Sequence, residues 1–147
     1  GRTVKRHADT IKALTGTERI VDTICDHDAE DRATLHENGI PTVPADKRIT
    51  VGIEKVQERL AKSGNGKPRL LFVADSLVEV DPELRDKRQP LCTEDEFAMY
   101  VYPIGVDGKP MKELPVDAYN HGMDAMRYMV MHKDGKAPRG RATSKEY

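Results

Sequence analysis

Ile20-Val21-Asp22-Thr23-Ile24-Cys25-Asp26-His27-Asp28 carries a β-branched apolar run straight into a cluster of acids. Such a run predicts a mostly buried strand over 20–25. Asp28 is a good N-cap for a helix over about 29–38, closed by Asn38-Gly39. Upstream, residues 3–14 predict a short helix, with Val4, Ala8, Ile11 and Leu14 roughly on one face and Gly16 as its stop. Downstream, Ile40-Pro41-Thr42-Val43-Pro44 is a short extended piece whose two prolines suit an edge or a strand end.

The alternation continues. Val51, Ile53, Val56 and Leu60 form the apolar stripe of a helix over 50–62, which Ser63-Gly64-Asn65-Gly66-Lys67-Pro68 breaks. Arg69-Leu70-Leu71-Phe72-Val73-Ala74-Asp75 reads as the strongest strand in the chain. Residues 76–92 read as a loop, and Thr93 as the cap of a short helix opening Glu94-Asp95-Glu96-Phe97. Residues 99–104 look extended, 105–110 form a turn, and the last helix is expected over 116–132. The segment 133–147 holds five Lys or Arg against one Asp and one Glu, and is read as a flexible basic tail. Strands alternating with helices predict an α/β fold with at least partly parallel strands.

Composition narrows the function classes. With 37% hydrophobic and 33% charged residues over 147 positions, the chain is polar but able to bury a core. Its net charge of -1 gives no bulk positive field, so any nucleic-acid contact must come from local basic patches. Cys25 and Cys92 form no zinc spacing. Together they suggest a reducing, cytoplasmic setting. No membrane-length apolar run is present, and the opening Gly1-Arg2-Thr3 lacks an initiator Met, so the chain reads as a fragment or processed form.

The acids carry the chemistry. On a helix over 116–132, Asp117, His121, Asp124 and Tyr128 share a narrow sector, opposite Tyr119, Met123, Met126 and Val130. Ala125 and Met129 fill a flank, which leaves little of this helix suited to water. Burying a carboxylate there is costly unless it is paired or bound to metal. The competing reading of Asp124 is a buried salt bridge, most simply to Arg127 or another Arg; His121 either ligates a metal, orients Asp124 or packs. Asp26 and Asp28 stand where ligand sites form in open α/β sheets, and hard oxygen ligands there suit Mg2+ or Mn2+. Asp28 is equally explained as an N-cap, and Glu30 and Asp31 as first-turn acids favoured by the helix dipole. Asp75 ends a strand and ranks third. Lys47 and Arg48, in a loop before a helix, could meet a phosphate or be solvated.

In order, Cys25 to Leu35, Gly39 to Lys47, Gly52-Ile53, Arg69 to Val73, and Asn120-His121-Gly122-Met123-Asp124-Ala125-Met126-Arg127-Tyr128 resemble the C-terminal nuclease domain of bacteriophage terminase large subunits. The similarity spans roughly residues 7–132, and its most specific piece is His-x-x-Asp-Ala-x-Arg-Tyr. It implies an RNase H-like mixed sheet flanked by helices, N-terminally truncated because the family's first acid lies upstream of Gly1. It also implies an endonuclease that cuts concatemeric double-stranded DNA during genome packaging, with two Mg2+ or Mn2+ ions on a three-acid site. By position, Asp124 is the acid on the last helix, His121 its neighbour, and Asp26 the acid after the middle strand, with Asp28 as the competing alignment. The terminase small subunit and the portal are the partners so implied, with no membrane. Two other readings stand beside this one. One is a non-catalytic terminase remnant or assembly module. The other is a haloacid-dehalogenase-like phosphotransferase using Asp26-His27-Asp28, from which Ala29-Glu30-Asp31 departs.

Overall fold

The computed structural model describes residues 3–26 and 28–135. It is a mixed α/β structure of six helices and a small two-stranded parallel sheet among the described residues. The chain divides into two compact units at the Lys47–Arg48 junction.

The first unit is built on a strand–helix–strand crossover. Helix α1 (Val4–Thr15) starts where the Thr3 hydroxyl accepts from the Arg6 amide, and stops at Gly16 as expected. Strand β1 (Thr23–Cys25) runs parallel to β2 (Thr42–Pro44), with Thr23 opposite Thr42 and Cys25 opposite Pro44. The helix between them, α2 (Ala29–Glu37), is capped by the Asp28 carboxylate, which accepts from Glu30 and Asp31 at 3.0 Å. Arg32 ties α2 to β2 through the Thr42 hydroxyl at 3.3 Å.

The expected strand over 20–25 is corrected to its last three residues, with Ile20 and Val21 exposed. In this register the residue opposite Asp22 is Pro41, which has no N–H to donate, so the ladder starts at Thr23. Ala8, Cys25, Leu35 and Ile40 form the core of this unit, with Val4 against them. The expected α1 stripe therefore narrows to Val4 and Ala8, because Ile11 and Leu14 face water.

The second unit centres on two helices, α3 (Ile49–Leu60) and α6 (His121–Gly135), which pack side by side. Arg127 reaches the Arg48 carbonyl at the start of α3, while Arg59 near its end pairs with Asp134, so the two helices run in the same direction. Val56, Met123, Met126 and Val130 make the core between them. Gly52 permits the approach: a Cβ there would lie 2.3 Å from Arg127 Cγ. Two short helices, α4 (Pro82–Asp86) and α5 (Thr93–Glu96), lie on the long connection between α3 and α6. Thr93 is the first residue of α5, not its cap, which is Cys92.

Two further expectations fail here. Residues 69–75 form no strand; Leu71 and Val73 are 74% and 77% exposed. The segment has no ladder partner among the described residues, and a β-rich run without a partner stays an extended loop. Its amides at Arg69 and Leu70 donate to the Arg59 carbonyl, and Phe72 meets Phe97 edge-on at 5.5 Å. Asp75 accordingly sits in a turn with a left-handed backbone (φ 54°), not at a strand end.

The last helix begins at His121, not at 116, and continues through Gly135, so residues 133–135 are helical, not tail. Tyr119 at φ 51° cannot continue a right-handed helix. The rest of the expected tail, 136–147, lies outside the described residues, as does His27.

Candidate functional site

Helix α6 opens on an unusual cap. Glu96, on α5, is a buried carboxylate (8% exposed) that accepts from the Gly122 amide at 3.1 Å and the Met123 amide at 2.8 Å. These are two of the orphan donors of a helix N-terminus, and the positive end of the helix dipole stabilises the charge they meet. Gly122 makes room for α5, since a Cβ there would lie 2.3 Å from the Thr93 hydroxyl. Nothing local in the sequence marks Glu96 for this role, because it caps a helix that starts 25 residues later.

In the same first turn, Asp124 is held from two sides. Arg127 Nη2 donates to its Oδ1 at 2.6 Å, and the Tyr128 hydroxyl lies 3.5 Å from its Oδ2. The Asp124 side chain keeps 29% of its surface exposed, whereas Arg127 is 3% exposed overall. Arg127 also donates to the Arg48 carbonyl at 3.2 Å and lies 4.8 Å from the centre of the Tyr128 ring. Burial works against its charge, but Asp124 and the flanking phenols outweigh that and raise its pKa. Tyr100 completes the cluster. Burial raises its pKa, the neighbouring Arg127 charge opposes the rise and the Asp124 charge adds to it, so the phenol stays protonated at neutral pH.

The expected Asp124–Arg127 salt bridge is therefore present. His121 is exposed in the first turn of α6, and Ala125 is exposed as well, so this helix is wetter than its residue pattern predicts. Asp117 lies outside the helix, where its carboxylate accepts from Asn120 at 3.1 Å. At the far end of α6, Arg59 makes two hydrogen bonds to Asp134, at 3.0 and 2.5 Å, and holds that carboxyl below its ordinary range.

The strand-end candidates belong to the first unit. Asp26 follows β1 and lies 3.9 Å from Lys47 Nζ, both side chains being largely exposed. Asp28 spends its Oδ1 on the α2 amides. Arg48 is exposed and precedes α3, with its carbonyl engaged by Arg127.

A divalent ion pair wants several carboxylates converging with open lone pairs. Among the described residues no three His, Cys, Asp or Glu side chains form such a group. With Asp28 capping and Asp124 bonded to Arg127 and Tyr128, these donors do not fit a two-metal centre as they stand. No helix of the described residues is long and apolar enough to cross a membrane. Comparison with known protein families, curated proteins and solved structures gives no match.

Proposed function

We propose that the chain is a nuclease-domain piece of the phage terminase large-subunit kind, with an RNase H-like fold and the phosphodiester backbone of double-stranded DNA as its substrate. The observation that carries the reading is Asp124, an acid in the first turn of a packed helix, held by Arg127 and Tyr128 yet still partly exposed. The sequence block around it, with Asp26 after β1, is what resembles the family. In this reading Asp124 and Asp26 are the acids of the site, His121 and Asp28 stand nearby in sequence, and Lys47 and Arg48 meet DNA phosphate. Mg2+ or Mn2+ is the cofactor implied, and the small subunit and portal are the partners.

The second reading is a non-catalytic assembly module of the same family. It is favoured by the Arg127 guanidinium, which neutralises the one acid the sequence motif singles out.

Plasmid cleavage by the full chain with Mn2+ or EDTA, beside Asp124→Asn and Asp26→Asn checked for folding by circular dichroism, separates the two. Metal-dependent nicking that both variants lose establishes the nuclease. A folded wild type that neither nicks DNA nor binds Mn2+ leaves the assembly module.

A further inference from the structure

Beside the core of the second unit lies an open cavity of about 160 Å³. Its apolar lining includes Val56, Met123, Met126 and Phe97, and its polar lining comes from Gln57, Tyr100, Tyr102 and Arg127. The volume suits one six-membered ring, since an apolar cavity of about 150 Å³ holds benzene. Thioether sulfurs and an aromatic edge favour an aromatic ring over a saturated one.

Charge decides the rest. Among the described residues Arg127 is the one charged residue in this lining, and Asp124 already matches it at 2.6 Å. An anionic ligand would place a second negative charge beside Asp124 with no further cation among the described lining residues to meet it. A neutral ligand meets instead a protonated Tyr100 hydroxyl and the Gln57 amide, both able to hydrogen-bond a polar ring substituent.

We propose that this cavity is a binding site for a small, neutral, phenol-like molecule, with its ring among Val56, Met123 and Met126 and its hydroxyl toward Tyr100 and Gln57. The site is independent of the nuclease reading and stands or falls without it.

The test is phenol titrated into the full chain carrying 13C-methyl methionine, followed by NMR. Met123 and Met126 line the site, while Met111 is exposed and serves as the control. The expected result is a saturable shift confined to Met123 and Met126. Benzoate should bind about tenfold more weakly. Tyr100→Phe should weaken phenol about fivefold, the worth of one hydrogen bond, and leave toluene unchanged. Ile53→Phe, which fills the cavity from its wall, should abolish the shifts; if that variant does not fold, the Tyr100→Phe comparison decides. Shifts that never saturate, that move Met111 equally, or that benzoate matches would overturn the proposal. So would equal loss of phenol and toluene in Tyr100→Phe, or phenol binding that a folded Ile53→Phe retains.

Discussion

Asp124 and Arg127 stand three residues apart on one helix, the spacing at which side chains meet. That much is legible in the sequence, and the pair forms. What spacing does not reveal is that Arg127 is also fixed by the Arg48 carbonyl and lies where Gly52 leaves space. Removing Asp124 strands a nearly buried guanidinium, whereas removing both charges does not. Asp124→Ala should therefore lower unfolding stability by about 2 kcal/mol, below the full cost of breaking a buried pair because Asp124 is partly exposed. Asp124→Leu combined with Arg127→Leu should recover most of that loss. Urea denaturation of the three proteins checks this; a double variant no more stable than Asp124→Ala sinks it.

Helix boundaries depend on partners that lie far off in sequence. The apolar pattern places the last helix at 116, yet it starts at 121, where Tyr119 turns left-handed and Glu96 receives the first amides. Glu96→Ala should cost roughly 1–2 kcal/mol, the usual worth of a side-chain cap. Glu96→Gln, which keeps one acceptor oxygen, should cost about half of that. Melting curves and helical ellipticity give the comparison, and an unchanged Glu96→Ala would refute the capping role. The strands teach the same lesson. Residues 69–73 have strong strand propensity but no ladder partner among the described residues, while the short β1 is a strand because β2 lies beside it. By contrast α2 was readable almost to the residue, since its Asp28 cap and Gly39 stop act within a few positions.

The two units differ in how much core they own. Residues 3–47 bury one alanine, one thiol and two aliphatic side chains beside a two-stranded sheet, an arrangement marginal on its own. The second unit has the α3–α6 core, the Glu96 cap and the Arg59–Asp134 pair. A chain of residues 48–147 should keep a cooperative melt and a helical spectrum, whereas residues 1–47 alone should lose most of theirs. Circular dichroism decides, and a cooperative melt of 1–47 would contradict this account. By itself the sequence determined the α/β class, the stop of α1, the cap and stop of α2 and the packed Met123–Met126–Val130 face, and it offered the Asp124–Arg127 pair as one of two readings, because each follows from neighbours within one or two helical turns. Only the tertiary structure decided where α6 begins, that 69–73 pairs with no other described strand, that Gly52 is a point of close approach and that Tyr100 joins the Asp124 cluster. Those depend on contacts between segments tens of residues apart, and local propensity carries no information about which distant group will arrive to satisfy an amide, a charge or a strand edge.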